Sequence, residues 1–136
     1  MRIPIIVSTS LVAAACSGSN SIEPGQWERT TTFTPSAIGI ATTITDNYCL
    51  TPGQAREPTA DSILGSLPEA CAYENFSMTG GGIRGAARCG ENGAAPTTLN
   101  GQFDSASYEM NLELKETELG AQTVKIAARR TGDCPR

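Results

Sequence analysis

From residue 26 to residue 130 the chain alternates apolar and polar side chains in short runs, punctuated by glycine, proline and asparagine. A period of two sends successive side chains to opposite faces of a strand. Residues 26–34 put Trp27 and Phe33 on one face and Glu28, Thr30, Thr32 and Thr34 on the other. Pro35 and Ser36 break that run. Ile38, Ile40, Thr42 and Ile44 then share a face up to Tyr48, so the two runs predict a hairpin. Residues 71–89 fold about Gly80, Gly81 and Gly82, with Cys71 opposite Cys89, Tyr73 opposite Ala87 and Asn75 opposite Gly85. The clearest hairpin joins residues 97–103 to residues 107–115. Tyr108, Met110, Leu112 and Leu114 face one way, and Ser107, Glu109, Asn111, Glu113 and Lys115 the other. A turn at Asp104, Ser105 and Ala106 sets Phe103 against Tyr108 and Leu99 against Leu112. Further turns are expected at Glu91-Asn92-Gly93 and across 118–121. A last strand over 123–130 has Val124, Ile126 and Ala128 on one face.

One stretch departs from this period. Thr51, Pro52 and Gln54 stand where an N-cap, a first-turn proline and the third residue of a capping box belong. Pro58 stops that turn, and residues 59–64 predict one or two more, ended by Gly65. Ile63, Leu64 and Leu67 would cover one end of a sheet. The class is therefore all-β with a minor helical part: about seven antiparallel strands in a meander, each with one apolar face. Such a meander covers that face by curling into a barrel or half-barrel, or by folding into two layers.

Composition makes the core thin. Aromatic residues are 5% of the 136, while threonine, alanine and glycine are common. A single domain of this size with little apolar bulk needs covalent staples. The N-terminus says where they would form. Met1-Arg2 precedes an apolar run over 3–15, roughly half of what spans a bilayer, so residues 1–15 are expected to be a secretory signal. Leu11-Val12-Ala13-Ala14-Ala15-Cys16 resembles a bacterial lipoprotein signal, which would make Cys16 the lipidated first residue. Residues 16–23 then form a flexible tether and 24–136 the domain. Cleavage after Ala15 with Cys16 left as a free thiol is the alternative. Five cysteines are odd for an exported chain. With Cys16 lipidated four remain, and of their three pairings the hairpin register favours Cys71–Cys89, hence Cys49–Cys134. Zinc fits poorly, because the cysteine spacings are wide and there is no histidine.

Charge and residue types narrow the function by exclusion. Formal net charge is −4, and near −5 once Arg2 leaves with the leader, which argues against a nucleic-acid partner. The absence of histidine removes Ser-His and Cys-His nucleophile pairs. Lys115 and Lys125 lie on strands that read as solvent faces. Glu109 with Glu113, or Glu113 with Glu116, forms a carboxylate pair without any second signal for glycosidase chemistry. Gly80-Gly81-Gly82 lacks the Lys-Ser/Thr of a phosphate loop. The chain reads as non-catalytic, with no metal or cofactor. Arg129 and Arg130 alternate in facing, and are expected either to pair with Asp133 or Glu28 or to receive an anionic group through their planar forks. Trp27 is expected in the core, with an exposed binding anchor as the alternative.

Four segments in order resemble a known pattern. Pro24-Gly25-Gln26-Trp27-Glu28 is similar to a PGxWE opening, and Cys49-Leu50-Thr51-Pro52-Gly53-Gln54-Ala55 to CLTPxxA. Cys71 and Cys89 stand as a middle pair, and Arg129-Arg130-Thr131-Gly132-Asp133-Cys134 is similar to RRxGDC. Together they resemble the bacterial envelope proteins of domain of unknown function family 3617, over about residues 24–134. Ala128 stands where that family usually has glycine before the paired arginines. The resemblance implies export and a β-rich domain, and no activity. Ser17 after Cys16, where aspartate would by resemblance retain a lipoprotein at the inner membrane, leads us to expect attachment at the periplasmic face of the outer membrane, with soluble periplasmic protein as the alternative; a monomer is expected. Two functions fit: binding an apolar small molecule or lipid inside a curled sheet, or binding an envelope protein as an inhibitor or accessory.

Overall fold

The computed structural model describes residues 21–65, 71–89, 96–117 and 120–136. The elements in order are β1 (Gly25–Pro35), β2 (Thr42–Leu50), α1 (Pro52–Arg56), α2 (Ala60–Leu64), β3 (Cys71–Thr79), β4 (Gly82–Cys89), β5 (Thr97–Phe103), β6 (Ser107–Thr117) and β7 (Gly120–Gly132). All seven strands form one antiparallel sheet in the order β2-β1-β7-β6-β5-β4-β3. The sheet is open, with β2 and β3 as its edges; the barrel does not close, and the half-barrel form of the expectation is the compatible one.

Alternation builds the inner face. Trp27, Ile83, Ala87, Leu99, Met110, Leu112, Val124 and Ile126 are all within 2% of full burial and belong to one core cluster. The β5–β6 register is Phe103↔Tyr108 and Leu99↔Leu112, as the pattern predicts. It is set locally: the Asp104 side chain accepts from the amides of Ala106 and Ser107 at 2.8 Å each and so holds the turn.

The β3–β4 hairpin departs from expectation in the middle. Gly80 and Gly81 both have positive φ, 60° and 79°, the geometry of a two-residue hairpin turn that side chains resist. Cys71 still faces Cys89 and Tyr73 faces Ala87, but the register shifts between Glu74 and Ser77. Asn75, at φ 53°, therefore sits in a bulge instead of opposite Gly85.

The helical stretch forms where its caps predict. Thr51 with Gln54, and Thr59 with Ser62, each make a reciprocal capping box, and Gly65 ends α2 at φ 66°. Two five-residue helices have no stability of their own. Topology tells them where to go. They link β2, one edge of the sheet, to β3, the other, and so cross from edge to edge. They cross the inner face as a strap that buries Ala55, Ala60, Ile63 and Leu64. Leu67 and the 91–93 turn lie outside the described residues. Bridges fasten both ends of the strap: Cys49–Cys134, with Cα atoms 5.5 Å apart, and Cys71–Cys89, 4.1 Å apart.

Candidate functional site

The strap is held to the sheet by a polar latch. Parity places Arg29 on the inner face of β1 between Trp27 and Phe33, and the residue is 7% exposed. Its guanidinium makes a two-pronged bond to Asp46 on β2, through Nε at 3.1 Å and through Nη2, and donates Nη1 to the Ile63 carbonyl at 3.0 Å. The Tyr108 hydroxyl donates to the same carbonyl at 2.8 Å, and the Tyr48 hydroxyl lies 2.6 Å from that of Tyr108. Arg29 also lies over the Tyr48 ring, 4.6 Å from its centroid. The Ile63 carbonyl is one that the end of α2 would otherwise leave unpaired. Burial pulls the Arg29 pKa down, but the Asp46 hydrogen bond together with the charge interactions of Tyr108, Asp46 and Tyr48 outweighs this and holds it above its ordinary value. Burial raises the pKa of Tyr48, Tyr73 and Tyr108; at Tyr108 the neighbouring Tyr48 adds to the rise. The latch is thus a structural charge pair beside the buried phenols of Tyr48 and Tyr108.

The latch covers only part of the inner face. The strap leaves β2 at Leu50, so it lies over the Trp27 and Tyr108 end of the sheet. Ile44 is six residues back along β2 from Leu50, about 20 Å away, and beyond that cover. It is 52% exposed, and Ile38 and Ile40 in the β1–β2 connection are 56% and 70% exposed. The expected shared face is kept only by Ile44, which lies opposite Thr31 on the inner side at the lip of the sheet, because the turn after β1 and Gly39 at φ 72° take Ile38 and Ile40 out of the strand period. Ile38 and Ile40 also lie outside β2, which begins at Thr42.

The two edges differ. β3 carries the bulge at Asn75, the Glu74–Arg88 ion pair at 3.0 Å, and the neighbouring Pro58, Thr59, Ala60 and Asp61 of the strap, which share a cleft with it. β2 pairs with β1 through nine unbroken positions and has one charged residue, Asp46, already engaged by Arg29. On the outer face Thr30–Thr45 and Thr32–Thr43 are hydroxyl pairs at 3.4 and 3.3 Å. A groove of about 500 Å³ also lies on this outer side, between Glu28, Thr30, Gln102, Asp104, Glu109 and Arg129. Its lining mixes these polar groups with Phe103, Tyr108, Ala127 and Ala128, and its one arginine is engaged by Glu28.

The residues singled out from sequence fall into place around this frame. Trp27 is fully buried, donates its indole N–H to the Glu23 carbonyl at 3.0 Å and packs 5.6 Å from the Tyr108 ring. Arg129 points outward and pairs with Glu28 at 3.2 Å. Arg130 follows the inner parity and bonds Asp133 and the Pro24 carbonyl at 2.8 Å each, tying the last strand to the first. The structure thus gives both arginines structural partners. Cys16 lies outside the described residues. Arg29, Asp46, Tyr48 and Tyr108 were not singled out, although one signal pointed to them: each occupies an inner-face position of its strand, where a charged or hydroxyl side chain needs a buried partner.

Among the described residues no group of three or more His, Cys, Asp or Glu could hold a metal ion, and no helix is long and apolar enough to cross a membrane. No curated protein and no solved structure matches the chain. A family model described as "Protein of unknown function (DUF3617)" matches residues 22–134, the span from the buried Ile22 to the last bridging cysteine. The chain therefore belongs to the DUF3617 family.

Proposed function

We propose that this chain is an exported, non-catalytic binding domain, anchored through lipid on Cys16 at the periplasmic face of the outer membrane, whose partner is an envelope protein. The observation that carries the reading is the contrast between inner face and lip. Beneath the strap the inner face is filled, with Ile63 at 0% and Leu64 at 1% exposure, and the strap that fills it is bridged at both ends and latched between. An apolar small molecule in the curl would have to displace that strap. The three isoleucines at the lip are instead the exposed large apolar side chains among the described residues, and apolar side chains gathered in one place on a surface mark a contact site. The lipoprotein-like leader and Ser17 support the location.

The domain from Ser17 onward, purified from an oxidising periplasm, should appear in native mass spectrometry as an oxidised chain without a small-molecule adduct. Solubilised full chain should retain an envelope protein that the Ile38→Asp/Ile40→Asp variant loses. A lipid-sized mass surviving gentle ionisation would overturn the choice of partner. A freely soluble, unmodified Cys16 product would overturn the anchor.

A further inference from the structure

We propose that the cleft between the strap and β3 binds an organic cation, as an alkylammonium group seated against Tyr73 and Phe76 and paired with Asp61. The site is independent of the envelope-partner reading, which uses the other edge of the sheet. The cleft holds about 380 Å³, within the ~300–1,000 Å³ of small-molecule sites. Pro58, Ala60 and Asp61 of the strap form one wall, and Cys71, Tyr73 and Phe76 of β3 form the other.

A bulge builds the aromatic wall. Strict alternation from Tyr73 would send Phe76, three residues on, to the outer face. Between the pairs Glu74↔Ala86 and Ser77↔Arg84, however, β3 has two residues, Asn75 and Phe76, where β4 has only Gly85. The extra residue returns Phe76 to the inner side with Tyr73 and Met78. Gly85 leaves room for it: a Cβ there would lie 3.3 Å from the Phe76 Cα and 3.7 Å from its ring. Both aromatic side chains pack on the core and stay half-buried. Bulges re-aim side chains next to binding sites, and this one holds a non-glycine residue, Asn75, at φ 53°.

Charge decides the class of guest. Asp61 is the one carboxylate lining the cleft, and no lysine or arginine lines it. Thr59 and Ser62 beside it are closed in their capping box. Among the described residues neither the Asp61 carboxylate nor the Tyr73 hydroxyl has a hydrogen-bond partner. Burial raises the Tyr73 pKa, and the charge of Asp61 adds to the rise, so the two groups sense one another. An anion would meet a carboxylate and the electron-rich faces of two rings. A cation is attracted by both, and the net charge of −4 favours its approach. Asp61 is exposed, so the guest exchanges with water and is not carried through purification.

The test titrates choline into the full exported chain in maltoside micelles, with NMR of the choline methyls and of the Tyr73 and Phe76 rings. The methyls should move upfield in the ring currents and saturate, with Tyr73 and Phe76 as the perturbed aromatics. The neutral isostere, with carbon in place of the ammonium nitrogen, should bind roughly tenfold more weakly. Asp61→Asn should weaken choline about threefold and Phe76→Leu about fivefold. Glu109→Gln, on the outer face, should leave it unchanged. Trp27 emission shows that each variant is folded, and Asp61→Asn, at an exposed position, carries the test by itself if Phe76→Leu does not fold. Glycerophosphocholine separates two sources of the group: binding at parity with choline admits a lipid headgroup, and loss of binding confines the site to free cations. Equal binding of the isostere, or no effect of Asp61→Asn, would overturn the cation site. So would the absence of any saturable shift, and none of these results bears on retention of the envelope protein at Ile38 and Ile40.

Discussion

The Ile63 carbonyl accepts two donors, Arg29 Nη1 at 3.0 Å and the Tyr108 hydroxyl at 2.8 Å, and this redundancy makes a double-mutant cycle decisive. Tyr108→Phe removes a neutral hydrogen bond, worth about 1 kcal/mol, and leaves Arg29 on the carbonyl. Tyr48, half-buried, can turn its hydroxyl to water. Arg29→Met keeps most of the aliphatic packing and leaves Tyr108 on the carbonyl. It frees Asp46, but that side chain is 44% exposed and is solvated at once, so the loss is about 2 kcal/mol and not the ~3–5 of a fully buried broken pair. The double variant leaves the carbonyl buried and unpaired, which adds a further ~1–3 kcal/mol beyond the sum. Urea unfolding of the oxidised domain reads all four proteins. Trp27, the chain's one tryptophan, is fully buried 5.6 Å from the Tyr108 ring and reports the strap directly. The midpoints should shift while the slopes stay equal. Additivity within about 0.5 kcal/mol would refute the argument that both donors serve one buried acceptor.

Gly65→Ala tests the same latch from the other side: at φ 66° a Cβ there would overlap the Arg29 guanidinium, which Asp46 and Ile63 hold in place. Thermal unfolding should show a loss of about 1–3 kcal/mol, reduced in the Arg29→Met background because the shorter side chain gives way. The two bridges should differ in worth. Loop entropy over sequence separations of 85 and 18 gives about 4.5 kcal/mol for Cys49–Cys134 and about 3 for Cys71–Cys89. Paired cysteine-to-alanine variants compared by urea midpoint should reproduce that order, and the reverse order would mean that native-state contacts, not chain entropy, dominate. The fold should be labile to alkali: burial raises Tyr48, Tyr73 and Tyr108, all three tyrosines of the chain. Because the folded state favours the neutral phenol, this stability is complete below the unfolded value of ~10 and declines as pH rises beyond it. Tyrosinate absorbance should therefore appear together with loss of Trp27 signal, and a phenol titrating near 10 in the folded protein would contradict it.

The parts of this fold legible in the sequence are those set within one turn of chain. Leu99 meets Leu112 because Asp104 fixes a short turn between two strictly alternating runs, and Cys71 meets Cys89 because the glycines at 80 and 81 accept positive φ. The capping box at Thr51 is likewise local. The bulge at Asn75 was hidden because a register counted from one end of a hairpin is blind to an extra residue in its middle. The latch and the lip were hidden for a deeper reason. Parity alone puts Arg29 and Ile44 on the inner face, yet one is buried and the other exposed. What separates them is the path of the link between the two edge strands, and nothing in either strand's own sequence encodes it. The link must start at Leu50, so it covers the end of β2 that holds Tyr48 and Asp46 and leaves the end that holds Ile44. It brings the Ile63 carbonyl to Arg29 across 34 residues of chain. The same crossing that gives the buried arginine its partner thus leaves the isoleucines without cover. The latch and the open lip are two consequences of one topological fact, and a strap that reached farther along β2 would remove the contact site that we propose at the lip.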